Sequence, residues 1–193
     1  CLADVTDMER IVARATLGEA NPRELGSLRD GLSASARGVE VLGSVNDAAG
    51  REALGLGTEL DLCADLADEL RRALVERPPA QAKEGAVFAP GYDVELDARD
   101  ALQKHGAERM VELEARLRQA GKAPKEWRRK QTVATGERYT NPELDELADK
   151  ITTAEERHRE RELELIKKLV RRVADSGDRV VEFARRVARW DVA

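Results

Sequence analysis

The sequence predicts a mainly helical protein: a helical core and two long antiparallel helices joined by a short basic connector. Three observations carry this. Charged residues make up 37% of the 193 residues and aromatics only 3%, a mix that suits exposed helices rather than a thick core. Leu, Ala, Glu, Arg and Val dominate, most of them helix formers, and long strand-like runs of Val, Ile, Tyr and Phe are absent. Two long segments keep helical apolar spacing on either side of residues 120–140.

Thr6 and Glu9 form a Ser/Thr-x-x-Glu capping box, which predicts a first helix from about Asp7 to Leu17, with Met8, Ile11, Val12 and Ala15 inward and Gly18 as its stop. Asn21-Pro22-Arg23-Glu24 starts a second helix. Asn caps it, Pro takes the first helical position where its missing N–H costs nothing, and Glu sits in the first turn. Leu25, Leu28 and Leu32 follow at helical spacing. The Gly-, Ala- and Ser-rich residues 33–57 predict only a short helix near 39–45 and a loop around 50–57. Thr58 is expected to cap a helix to about Glu76, striped by Leu62, Leu66, Leu70 and Leu74 and stopped by Pro78-Pro79. Residues 80–93 read as a turn or small hairpin.

Helical pattern resumes at Val94 and lasts to about Gln119, roughly 39 Å at helical rise. Gly121 and Pro124 break it. Asn141-Pro142-Glu143 repeats the start signature, and periodicity then runs to about Asp175, roughly 50 Å. Residues 155–162 are almost wholly charged, so that part cannot bury a broad face. Ser176-Gly177-Asp178 breaks the helix, and a last one carries Val180, Val181, Phe183, Ala184, Val187 and Trp190. A short connector forces its two long helices antiparallel and sits at the tip of an arm. The expected division is a helical core (1–93), a first long helix (94–119), a connector (120–140), and a second long helix with a return helix (141–193).

Net charge is −5, which argues against a protein coated in nucleic-acid contacts. The distribution is uneven. Residues 122–138 hold Lys122, Lys125, Arg128, Arg129, Lys130 and Arg138 against Glu126 and Glu137, a local +4 that leaves −9 elsewhere. Arg128, Arg129 and Lys130 followed by Gln131 and Thr132 suit phosphate contact, with Trp127 and Tyr139 placed to stack or to anchor the loop. No base-reading motif accompanies them, so contact would be sequence-independent and salt-sensitive. The competing reading is a solvated basic turn that caps helix ends.

No catalytic constellation is present. Phosphate-binding loops of the Gly-x-x-x-x-Gly-Lys-Ser/Thr kind and serine nucleophile motifs are missing, so no catalytic residue is assigned. Glu155 and His158 make a Glu-x-x-His pair, but a helical di-metal site needs a second copy and two more carboxylates, so no metal is expected. His105 reads as a partly exposed helix residue, and Gly91-Tyr92-Asp93 as the turn that launches the next helix. Cys1 and Cys63 have neither metal spacing nor a disulfide framework. Cys63, on the apolar face of Leu60, Leu66, Ala67 and Leu70, is expected to be a small buried hydrophobe in a reducing, cytoplasmic setting. Cys1-Leu2-Ala3-Asp4 lacks the start of a signal peptide, and no stretch approaches the ~20 apolar residues of a membrane span, so no membrane partner is expected. A start at Cys1 rather than Met reads as part of a longer protein.

Several segments together resemble the MutS family of DNA mismatch-repair proteins. Val5-Thr6-Asp7-Met8-Glu9-Arg10 is similar to the family's Asp-Leu-Glu-Arg helix, and Asn21-Pro22-Arg23-Glu24-Leu25 to its Asn-Pro-Arg-Asp-Leu segment. Pro90-Gly91-Tyr92-Asp93-Val94-Glu95-Leu96-Asp97 resembles its Pro-Gly-Tyr-Asp-x-x-Leu-Asp stretch. The most specific pair is Arg129-Lys130-Gln131-Thr132 followed by Glu137-Arg138-Tyr139-Thr140-Asn141-Pro142-Glu143-Leu144. The resemblance spans nearly the whole chain. It implies a core with two lever helices and a small β-containing clamp at their tip that holds DNA backbone.

The residues carried over to that contact are Lys122, Lys125, Arg128, Arg129, Lys130, Gln131, Thr132 and Arg138. The resemblance also implies double-stranded DNA, mismatch-repair proteins and a second copy as partners of the full-length protein, with ATP and Mg bound by an ATPase domain outside this chain, which should itself be no enzyme. One departure stands out. The family's β-rich insertion containing Gly-Tyr-Tyr-Ile-Glu-Val precedes the Lys-Gln-Thr segment, yet here Leu117-Arg118-Gln119 runs straight into Ala120-Gly121-Lys122. The clamp is therefore read as truncated, those strands being either deleted or absent from the sequence in hand. The alternative is a structural helical module for protein contact without its own DNA binding.

Overall fold

The computed structural model describes residues 7–43, 60–119, 128–133, 136–140 and 142–192. They are mainly helical. The order is α1 (Met8–Thr16), α2 (Pro22–Gly43), α3 (Ala64–Ala73), a 3-10 turn (Ala82–Glu84), α4 (Val94–Gln119), β1 (Arg128–Val133), β2 (Gly136–Thr140), α5 (Pro142–Asp175) and α6 (Gly177–Val192). Two compact units result, one of Cys1–Tyr92 with Glu162–Ala193, the other Asp93–Arg161. Among the described residues no helix is long and apolar enough to cross a membrane.

In the first unit α1 packs on α2 and α6, and α2 packs on α3. Met8, Ile11, Val12 and Ala15 are buried, as their spacing predicts. The cap of α1 is Asp7 rather than Thr6, which lies outside the described residues. The Asp7 carboxylate accepts the Arg10 N–H at 3.0 Å and adds a negative charge at the positive helix end. At α2 the start signature closes into a reciprocal box. Asn21 Oδ1 accepts the Glu24 N–H at 3.0 Å, and Glu24 Oε2 accepts the Asn21 N–H at 2.9 Å.

Helix α2 then corrects the expectation of a break after Leu32, because it continues to Gly43. Its small residues pack rather than turn. Gly31, Ala34 and Ser35 are buried, and Gly26 lies so close to Pro78 that a Cβ there would meet the ring at 3.0 Å. The Ser33 hydroxyl donates to the Arg29 carbonyl at 2.8 Å, so it stays within the helical ladder. The loop expected at 50–57 lies outside the described residues.

Helix α3 is shorter than predicted at both ends. Residues 60–63 are not helical, and Cys63 precedes the helix in the left-handed region at φ 50°, its N–H received by Asp61 Oδ1 at 2.8 Å. Cys63 is nonetheless fully buried, and burial pushes its thiol up to about 11, so it stays protonated at neutral pH. At the other end Leu74 turns extended and bridges Phe88. The Val75 N–H donates to Val87 O at 3.1 Å, and the Ala89 N–H to Ala73 O at 2.8 Å. Residues 82–84 form a 3-10 turn rather than part of a hairpin within 80–93, and the isolated bridge to Phe88 takes Leu74 away from the helix before Pro78 is reached. The core is completed by Leu165, Ile166, Leu169, Val170 and Val173 of α5 and by Val180, Phe183 and Val187 of α6. Each such large side chain contributes roughly 1.5–3 kcal/mol through burial.

The second unit holds α4, the ribbon of β1 and β2, and α5 up to Arg161. Its helices begin and end where the sequence places them. Contacts between them come in opposite chain order: Asp93 with Arg161, Asp100 with His158, the Arg99 guanidinium with the Arg157 carbonyl, and Gly106 with Ile151. At Gly106 a Cβ would stand 2.8 Å from Ile151 Cγ1, so the absence of a side chain sets how closely the two helices approach.

Candidate nucleic-acid interface

The basic connector is built on an antiparallel ribbon. Arg128 pairs with Thr140, Arg129 with Tyr139, Gln131 with Arg138, Thr132 with Glu137 and Val133 with Gly136. The register shifts between Arg129 and Gln131, so Lys130 is the extra residue of a β-bulge. A bulge twists and bends the strand that carries it, and it breaks the alternation of the two faces at that point. Five predicted contact residues, Arg128, Arg129, Lys130, Gln131 and Thr132, therefore lie on β1, and Arg138 lies opposite on β2. Lys122 and Lys125, with Trp127, fall outside the described residues. Both strands are edges of this two-stranded ribbon.

The Pro90-Gly91-Tyr92-Asp93 turn leads into α4, and its Asp93 pairs with Arg161 of α5. Gly91 has φ 86°, which a side chain would strain. The Tyr92 ring stacks on Phe88 with centroids 5.4 Å apart. Asp93 Oδ1 accepts the N–H groups of Glu95 and Leu96, each at 3.1 Å, which caps α4. Its other oxygen receives Arg161 Nη2 at 2.8 Å. The Arg161 bond, with those backbone donors, holds the Asp93 carboxyl below its ordinary value. This bears out the reading of residues 91–93 as a turn that launches a helix.

His158 lies 2.8 Å from Asp100, and His105 is exposed near Glu108. Among the described residues no group of three or more His, Cys, Asp or Glu is placed to hold a metal.

Several residues that organise the helices escaped the sequence reading. Arg29 is buried, donating to the carbonyls of Val75 at 2.8 Å and Glu76 at 2.7 Å while pairing with Asp30. Glu162 is also buried and accepts the Val87 N–H at 3.2 Å. Arg179 reaches Asp61 and Asp65, and Arg172 reaches Glu69 and Asp65, tying α3 to the elbow between α5 and α6. The Arg179 hydrogen bonds push the Asp61 and Asp65 carboxyls well below their usual range. The only signal available for these residues was charge within a charged sequence.

These features define a mainly helical module with a basic two-stranded ribbon inserted between two long helices. Residues 1–193 match the family model for MutS domain III, and the chain belongs to that family. It is 42% identical to the DNA mismatch repair protein MutS of Sorangium cellulosum (strain So ce56), a match covering 100% of this chain and 26% of that protein. It is 33% identical to the DNA mismatch repair protein MutS of Natronomonas pharaonis, over 99% of this chain and 25% of the relative. It is likewise 33% identical to the DNA mismatch repair protein MutS 2 of Haloarcula marismortui, over 99% of this chain and 22% of the relative. The chain thus spans about a quarter of the length of the curated relatives it matches. The Sorangium alignment runs over 242 positions against 193 residues here, so that relative carries residues with no counterpart in this chain.

Proposed function

We propose that this domain is the lever and clamp region of a DNA mismatch repair protein, gripping duplex backbone through the β1–β2 ribbon. The observation that carries the reading is the placement of Arg128, Arg129, Lys130, Gln131 and Thr132 on one strand of a ribbon with Arg138 on the other. The ribbon interrupts an otherwise acidic chain at the join of its two longest helices. The opposite chain order of the α4–α5 contacts supports antiparallel levers, which would transmit motion to the ribbon in the longer protein. On this reading Lys122 and Lys125 join the grip. The domain itself carries out no catalysis, and the full-length protein works in the cytoplasm as a dimer on double-stranded DNA, with ATP and Mg bound elsewhere and other repair proteins as partners.

The test is binding of the chain to a labelled duplex at low and high salt. Affinity should fall steeply with salt, and reversing Arg128, Arg129 and Lys130 to Glu should remove it and flatten the salt slope. Absence of low-salt binding, even by a chain with the family's extra clamp strands restored, defeats the proposal. A second reading, a helical module for protein contact, is favoured by the −9 carried outside the ribbon segment. Duplex binding unchanged by the triple reversal would select it.

A further inference from the structure

We propose that a groove between the end of α1 and the C-terminal half of α5 docks an acidic amphipathic helix of a partner protein. The groove encloses about 410 Å³ within the first unit. Its floor is apolar, formed by Ala15, Ala20, Ile166 and Val170, and Lys167 and Arg171 rise from one wall. Leu17, at the other wall, is 72% exposed at the C-cap of α1. Nothing local explains that exposure. The α1 end is already closed by the Leu17 N–H on Ala13 O and the Gly18 N–H on Ala15 O, and the Thr16 hydroxyl is spent on Val12 O.

The two wall cations set the partner's charge. Among the described residues Lys167 and Arg171 form no ion pair, although the adjacent Arg172 is fully engaged by Asp65, Glu69 and Ser176. They stand four residues apart, on one face of α5. Leu163, also exposed, lies four residues before Lys167 and extends an apolar strip along the same side. A helix with leucine-like anchors at helical spacing and carboxylates beside them matches this arrangement, apolar side to floor and acids to Lys167 and Arg171. A basic helix does not, because its charges would face those cations. Glu164 and Asp175 of α5 lie beyond the two ends of the cationic pair and do not line the groove.

The test uses the full chain and a fluorescent synthetic helix of leucines at helical spacing with glutamates on the flanks, read by anisotropy. A second peptide replaces every glutamate with lysine. The glutamate peptide should bind saturably and the lysine peptide at least tenfold more weakly. Lys167→Glu with Arg171→Glu should weaken the glutamate peptide about tenfold. Leu17→Asp should do the same, and because Leu17 is exposed the fold should survive it. Equal binding of both peptides, indifference to the two reversals, or no saturable binding overturns the proposal. So does sedimentation showing a dimer that Leu17→Asp dissolves, since the groove would then hold a second copy.

Discussion

The two halves of α5 are one continuous helix with two different sources of stability. From Glu162 to Asp175 it buries Leu165, Ile166, Leu169, Val170 and Val173 in the first unit. Before Arg161 the buried residue among those described is Ala154, and the neighbouring contacts are polar: His158 with Asp100, the Arg157 carbonyl with Arg99, and Arg161 with Asp93. Burial of apolar area sustains the C-terminal half. The N-terminal half depends on helix propensity, on pairs such as Glu146 with Lys150, and on a narrow seam with α4. A helix can therefore be read from sequence over its whole length while its strength changes along it.

The largest test of that contrast is Leu169→Ala, which removes a side chain only 1% exposed and should cost about 2–5 kcal/mol in urea unfolding. Ile151→Ala, in the other half, should cost roughly 1 kcal/mol. Equal losses would erase the distinction. Glu162→Ala probes the polar end of the buried half. It strands the Val87 N–H and should cost about 1–3 kcal/mol, with faster hydrogen exchange at that amide.

Gly106→Val should overpack the α4–α5 seam by about 1–3 kcal/mol, and Ile151→Ala in the same chain should recover part of it. Full additivity in that double variant would mean the two residues do not meet. The smallest effect is electrostatic. The folded Asp93 carboxyl sits below its ordinary 3.8, so the stability from its Arg161 pair is complete above that value and is lost as pH falls through the lower folded one. Arg161→Gln should lose roughly 1 kcal/mol at neutral pH, and its deficit should shrink in strong acid. A deficit independent of pH would assign the loss to packing.

Much of the element plan was legible. The Asn-Pro starts of α2 and α5, the ends of α4, the break at Ser176 and the buried faces of α1 and α6 all follow from cap chemistry and period. The failures have a common cause. In α2, Ala34 and Ser35 look like a loop by propensity, but both are buried within a helix that runs on to Gly43. In α3, the leucine stripe runs on to Leu74 in sequence, but Leu74 pairs with Phe88 instead. Of the candidate interface, the cations and the family motifs were visible, and the strand pairing with its bulge at Lys130 was not. Pairing register depends on two segments meeting, which no single-segment pattern records.

The sequence by itself determined where the long helices lie, that positive charge gathers in residues 122–138, and which family's motifs the chain carries. Those properties are local, written in neighbouring residues and in composition. Only the tertiary structure decided that Cys63 stands outside its helix, that Glu162 and Arg29 are buried against backbone groups, that Gly106 sets a helix approach, and that Arg128, Arg129, Lys130 and Arg138 share a bulged ribbon. Each of these depends on atoms far apart in the chain, where packing and hydrogen bonding outweigh the small preferences of single residues.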